Sequence, residues 1–393
     1  MSELKDFFLG ILKQRPYVIF AVFTLLFVAL MTFVEIKNGK FWTNDLYVYY
    51  GAVKDYFSGT SPYEHAYRLN SGLFKYPPPV LYLFIPLLGL SYFAAQLAHV
   101  VFSWLALTMS LILLHKFTFY PAYKKAEKTG VLWGSFVLIA IHVVREFHMG
   151  NINLQLLLLL SVGFILLQKQ KDVLATVCFT LVILFKPFFI ILLFPFIFNE
   201  LKFFLRVCSL GLGISLLTFL VTGMDLWQQW VAAVLRHGDY QVNHDSAGAI
   251  VKQFFGYNGE GTVSVFVLCC AFMFILVDKL RLHKMLTIEW VILLVALVPS
   301  VFKTDTQHFL MTIPLLVGML NELSERKKGY LWLIFGVLVL GFSFNSNDLL
   351  GKELGSFVTQ WGFLGLSNLG LIVFNVYLKF SRSNGATSFK ANI

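Results

Sequence analysis

The chain has 393 residues, 58% of them hydrophobic and 13% charged, with a formal net charge of +10 and a mean hydropathy of +0.74. A soluble domain carries about a quarter charged residues, so the composition excludes a soluble globular protein and indicates an all-α polytopic membrane protein. The basic residues sit in short connections between apolar runs, which makes them a sign of membrane orientation and gives no reason to invoke nucleic acid.

Lys5, Lys13, Arg15 and Pro16 precede the first apolar run, 17–35, which continues into Glu35-Ile36-Lys37 with no Ala-x-Ala-like exit. It reads as an anchor helix and not as a cleaved signal. Residues 36–91 follow as one large outer loop. Within it Tyr47 to Phe57 has the pattern of a short amphipathic helix, with Asp45 near its N-terminus, where the helix dipole favours a carboxylate. Tyr76 to Leu90 is apolar, but Pro77-Pro78-Pro79 withholds three backbone donors, so this stretch is expected to lie along or dip into the membrane surface.

Further apolar runs follow at 92–115, 131–148, 151–168, 173–185, 187–198, 203–222, 262–278, 285–302, 308–320, 330–344 and 361–378, for about twelve passes in a single transmembrane domain over 1–393. The connections 1–16, 116–130, 169–172, 199–206, 279–284, 321–329 and 379–393 hold about two thirds of the 31 Lys and Arg residues, which makes them cytoplasmic by the positive-inside rule. That assignment places 36–91 and a second long loop, 223–261, outside and leaves 379–393 as a cytoplasmic tail, expected to be disordered. It also makes 173–198 a tight hairpin with Lys186-Pro187 at its tip. Each arm reaches roughly 18 Å, short of a full crossing, so Lys186 is expected in a protein-lined depression below the outer surface. The competing reading of 173–198 is one tilted pass. The four cysteines (Cys178, Cys208, Cys269 and Cys270) lie in apolar runs at no metal-like or disulfide-like spacing and read as packing residues.

With this topology the polar residues converge on the outer face: Asp45, Asp55, Glu64, His65 and Tyr76; Arg145 to Asn153; Lys186; Asn243-His244-Asp245-Ser246; and Lys303 to His308. Such a set suits chemistry on a lipid-linked substrate. A phosphate at the interface calls for Arg145 or Lys186, with Lys303 and Arg236 as further candidates. A hydroxyl nucleophile calls for a carboxylate base, Asp45. An oxocarbenium-like sugar carbon calls for negative charge and amides, supplied by Asn151 and Asn153. Tyr49 and the other loop aromatics (Trp42, Tyr47, Tyr50, Tyr63 and Tyr67) offer stacking faces for a sugar or anchors in the interface.

Each residue also has a plain structural use. Asp45 would cap the 46–57 helix and Asn153 the next one. Lys186 would neutralise a half-helix end, Arg145 and Glu146 would form a local pair, His308 and His244 would be hydrogen-bonded pocket histidines, and Asp55 a solvated acid.

The ordered set Asp45-Leu-Tyr-Val-Tyr-Tyr, Gly59-Thr-Ser-Pro62-Tyr63, Tyr76-Pro-Pro-Pro79, Gly150-Asn-Ile-Asn153, Lys186-Pro187, Asn243-x-x-Ser246 and a Pro-Ser…His308 segment resembles glycosyltransferase family 87 from about residue 17 to 320. These are the polyprenyl-phosphate-mannose-dependent mannosyltransferases of the GT-C fold. The resemblance implies a GT-C-like bundle and a polyprenyl-phosphate sugar as donor. It implies a glycolipid or polysaccharide acceptor outside the cytoplasmic membrane, inversion at the sugar carbon, and Asp45 as general base. The family commonly carries Gly-Gln-x-Asn where this chain has Gly150-Asn151-Ile152-Asn153, and aromatic or paired-His character where this chain has Thr306-Gln307-His308. Many GT-C enzymes pair two acids around a metal; Asn44-Asp45 offers one carboxylate, so neither a metal nor another cofactor is expected. Two other functions fit the topology: a glycolipid transporter or flippase with Lys186 and Arg145 on its path, and a polysaccharide ligase on a lipid-pyrophosphate donor using Arg236-His237.

Overall fold

A computed structural model describes residues 10, 14–70, 72–116, 129–240, 244–326 and 328–381. Lys5, Lys13, Lys124, Lys125, Lys128, Asn243 and the tail from 382 lie outside the described residues, as does the side chain of His237. The described residues form helices and connections with no β-strand beyond an isolated bridge between Ala66 and Leu73.

Among the described residues six helices are long and apolar enough to cross a membrane: Arg15–Lys37, Tyr92–Lys116, Thr129–Met149, Leu201–Arg236, Glu260–Leu282 and Phe363–Phe380. Shorter apolar helices, Asn153–Gln168, Asp172–Phe185, Thr287–Val301 and Gly329–Ser343, pack among them. The long helices at the periphery turn bare apolar side chains outward, Leu212, Leu220 and Val221 among them. Lipid solvates such side chains, while each helix satisfies its own backbone. Gly329–Ser343 likewise leaves Leu333 and Val337 exposed, whereas Asn153–Gln168 and Thr287–Val301 are central, the latter buried continuously from Glu289 to Val301. Their ends stop inside the protein, and irregular backbone at that depth is tolerated only where protein or a water-filled cavity surrounds it. The breaks at 150–152, 186 and 302–305 lie together for this reason, and they build the site.

Ion pairs and hydrogen bonds define two ends. At one, Arg206 reaches Asp172 at 3.2 Å, Lys379 bridges Glu289 (3.3 Å) and Glu322 (2.8 Å), and Asn199 donates to Thr287. At the other, Lys303 pairs with Glu260 at 3.6 Å and Lys75 with Asp305 at 3.9 Å. The Arg206–Asp172 bridge brings the start of the 201–240 helix beside the start of 172–185. The chain therefore runs out to Lys186 and back through a 3₁₀ helix, Pro187–Leu193, as a hairpin.

The segments between the first two long helices, and those that follow Gly223, are more regular than the sequence suggests. Asn44–Phe57 is a helix, and 76–90 forms a short helix, Pro78–Leu83, followed by a 3₁₀ turn, Ile85–Gly89. The stretch from 223 begins as a continuation of the preceding helix, turned at Gly223 (φ +75°), where the left-handed backbone favours glycine. Residues 224–240 then lie across the first loop. Gln229 accepts from the Ser61 hydroxyl (2.6 Å), Trp230 Nε1 donates to the Lys75 carbonyl (3.0 Å), and Arg236 donates to the Tyr63 carbonyl (2.5 Å). A second helix, Ala247–Phe255, is capped by Ser246, whose hydroxyl accepts from the Ala249 amide at 3.2 Å.

Candidate active site

Asp45 is placed by a glycine contact. Thr43, in left-handed backbone just before the 44–57 helix, donates its amide to the His148 carbonyl (3.1 Å) and shares hydrogen bonds with Tyr92 and Gln96. Opposite it stands Gly150 (φ +67°), where an added Cβ would lie 2.8 Å from the Thr43 Cβ. Only a glycine lets these two turns touch. The contact brings Asp45 beside Asn151, whose Nδ2 donates to Asp45 Oδ2 at 2.6 Å. Asn151 Oδ1 accepts the Ile152 amide at 2.7 Å, which fixes the amide so that its nitrogen faces the carboxylate. Asp45 is therefore not a mere cap: its carboxylate reaches across to another element. Burial pushes its carboxyl up to about 6; the Lys75 ammonium and the Asn151 hydrogen bond oppose that shift, and Asp305 adds to it.

A second chain of contacts starts two residues further along the same segment. Asn153 gives its backbone amide to Glu146 Oε1 (2.6 Å) and its Nδ2 to Glu146 Oε2 (2.8 Å). Its free oxygen accepts from Lys186 Nζ at 2.5 Å. Lys186 Nζ also lies 2.6 Å from His308 Nε2, and His308 Nδ1 lies 3.1 Å from the Asp305 carbonyl. An ammonium only donates, so Nε2 accepts and Nδ1 carries the proton given to Asp305. Glu146, Asn153, Lys186 and His308 are all buried.

Aromatic rings wall the space between the two sets. Tyr49 stacks on Phe84 (centroids 4.7 Å apart, 9° between planes) and shares a 3.0 Å hydroxyl hydrogen bond with Tyr76. Tyr76 meets Phe185, next to Lys186, edge-on at 6.2 Å, and Phe188 lies 6.4 Å from the His308 ring. Burial raises both tyrosine hydroxyls, so they stay protonated. Among the described residues no three His, Cys, Asp or Glu side chains are grouped to hold a metal ion.

The fold thus brings together Asp45, Asn151, Asn153, Lys186, His308, Tyr49 and Tyr76. It does not bring Arg145 or His244 to them. Arg145 turns away from its sequence neighbour Glu146 and donates to the Asn345 carbonyl, near Asp245. His244 lies with its backbone against Gly362 at the start of the last helix. Lys303 is held by Glu260, and Arg236 by the first-loop carbonyls. Asn153 is the first residue of its helix and binds Glu146 and Lys186 where a capping use was equally open. Asp55 is paired with His65 (3.0 Å) and Tyr67 (2.8 Å) and is not a freely solvated acid. Glu146, Lys75 and Asp305 join this group although no pattern in the sequence marks a role for Lys75 or Asp305. An acid within an apolar helix was the available signal for Glu146.

A helical bundle of apolar passes with polar side chains gathered where its central helices break defines a polytopic membrane protein. The model of glycosyltransferase family 87 matches residues 74–302, more than half of the chain. The chain belongs to that family, and its activity is glycosyl transfer. Tyr76, Glu146, Asn151, Asn153 and Lys186 fall within the matched span, while Asp45 and His308 flank it and join it through the contacts above. No curated protein matches the chain, and no solved structure does.

Proposed function

We propose that this glycosyltransferase moves a hexose, most simply mannose, from a polyprenyl phosphate to a hydroxyl of a glycolipid or polysaccharide. The reaction takes place on the outer face of the cytoplasmic membrane, in a GT-C-like bundle. Asp45 takes the acceptor's proton as the acceptor oxygen bonds to the anomeric carbon. The bond from that carbon to the phosphate oxygen breaks with its electron pair, and polyprenyl phosphate leaves with one more negative charge. Attack from the face opposite the leaving group inverts the centre. The chain's own groups supply what the step asks for: a base, a buried cation for the leaving phosphate, and amides and ring faces for the sugar.

One observation carries this reading: Asn151 and Asn153, two residues apart, hold the carboxylate of Asp45 and the ammonium of Lys186 on one turn. Family membership favours transfer over transport, and the engagement of Arg236 with the Tyr63 and Glu64 carbonyls argues against its serving a pyrophosphate.

Purified protein given polyprenyl-phosphate-mannose and a membrane-glycolipid extract should release polyprenyl phosphate. Asp45→Asn should cut release by about 10²–10⁴-fold, the range for a general base, with donor binding retained. Unchanged turnover in Asp45→Asn would remove the base. For the face, a cysteine at Ser58 should label with an impermeant maleimide from outside and one at Ala126 should not; the reverse pattern would place the site on the cytoplasmic side.

A further inference from the structure

Lys186 cannot easily serve the phosphate alone. Its ammonium already donates to Asn153 and His308, and the residue is 4% exposed, so one N–H is left for a ligand. A phosphate that gains charge as it leaves calls for more donors than that. A second cation stands beside this group: Lys75 pairs with Asp305, whose backbone carbonyl holds His308 Nδ1, and it is the sequence neighbour of Tyr76 in the aromatic wall.

We propose that Lys75 receives the phosphate of the lipid-linked donor, and that the incoming phosphate displaces the Asp305 carboxylate from it. This deepens the reading above and rests on it. The Lys75–Asp305 pair is long, 3.9 Å, and its side chains are 30% and 40% exposed. Ion pairs of that kind hold weakly and exchange readily. The backbone of Lys75 is nevertheless fixed. Trp230 Nε1 holds its carbonyl at 3.0 Å, while its neighbour Tyr76 is tied by hydroxyl to Tyr49 and by carbonyl to the Tyr63 hydroxyl at 2.8 Å. A flexible four-carbon stem on a rigid root suits a group that hands a phosphate inward. The charge pattern agrees: Asp45 and Asp305 both place carboxylates near Lys75, so the entry of an anion is favoured if a carboxylate yields its place. Asp305 is the more exposed of the two and the one whose partner is a surface lysine. Its backbone carbonyl, which holds His308, can stay in place while its side chain swings out.

The test is binding of farnesyl phosphate and of farnesol to the full-length protein in detergent. Wild type should bind the phosphate ester more tightly than the alcohol. Lys75→Met should weaken farnesyl phosphate at least tenfold and leave farnesol unchanged, Lys75→Arg should retain most of the affinity, and Asp305→Asn should tighten binding several-fold. Farnesyl phosphate affinity unchanged in Lys75→Met, with the preference over farnesol intact, would overturn the assignment while leaving the lipid-phosphate donor standing. No preference in wild type would overturn both. Inorganic phosphate competing as well as farnesyl phosphate would also overturn it, since the site would then take any anion.

Discussion

Lys186 Nζ and His308 Nε2 stand 2.6 Å apart, although 122 residues separate them in the chain. The pair joins the tip of one broken hairpin to the 3₁₀ helix Thr306–Thr312, and with Asn153 it gives the ammonium a fixed direction.

If His308 works by aiming that ammonium, the two residues act as one unit. Lys186→Met should lower kcat/KM by about 100-fold or more, and His308→Ala by about 10- to 100-fold, as expected for lost positioning of a charge. The double variant should be no worse than Lys186→Met alone. A double-mutant cycle on kcat/KM checks this, and additive losses would mean that His308 touches substrate independently.

The acid limb of the pH profile should belong to Asp45. Its carboxyl is raised to about 6, so protonation removes the base as pH falls through that value, and the rate levels off above it. Lys75 works to lower this value, so in Lys75→Met the limb should move to higher pH. The same shift bears on stability. The folded state holds this proton more tightly than the unfolded chain, so its contribution is complete below the ordinary carboxylate value of 3.8 and is lost as pH rises through about 6. Asp45→Asn should therefore show little change in Tm near pH 4 and a relatively higher Tm near pH 7.

Glu146 accepts two hydrogen bonds from Asn153 inside the bundle. Glu146→Gln keeps the shape but can set an amide N–H against one of those donors. Leaving a buried donor unmatched costs about 1–3 kcal/mol, so Tm should fall. Activity should fall through kcat more than through KM, because Asn153 would no longer hold Lys186. Glu146→Asp should restore part of both. A Tm loss with unaltered kcat would confine Glu146 to folding.

Gly150→Ala meets two obstacles at once, a left-handed backbone and a 2.8 Å approach to the Thr43 Cβ. The backbone term alone costs about 1 kcal/mol or more. The larger effect should be on rate, since the 44–57 helix must shift and carry Asp45 away from Asn151. An activity loss of about tenfold or greater, exceeding that of Thr43→Ala, is the expected result, read as kcat on folded protein.

Much of this was legible in the chain alone. Apolar run length and loop charge depend on composition, which bilayer thickness and inner-leaflet charge read directly. The helical membrane class and the hairpin tip at Lys186-Pro187 follow from that. Asp45, Asn151, Asn153, Lys186 and His308 were also visible, as polar residues at the ends of apolar runs, where a buried charge or amide needs a reason to be. Their partners were not legible. Glu146 binds seven residues ahead across a turn, and Lys75 meets Asp305 across 230 positions. Arg145 and Glu146, adjacent in sequence, project to opposite neighbours. Adjacency in sequence says nothing of which side of a buried helix finds a hydrogen-bonding partner. That depends on which other helices end at the same depth, and only the packed bundle, by stopping its short helices around one group of polar side chains, decided it.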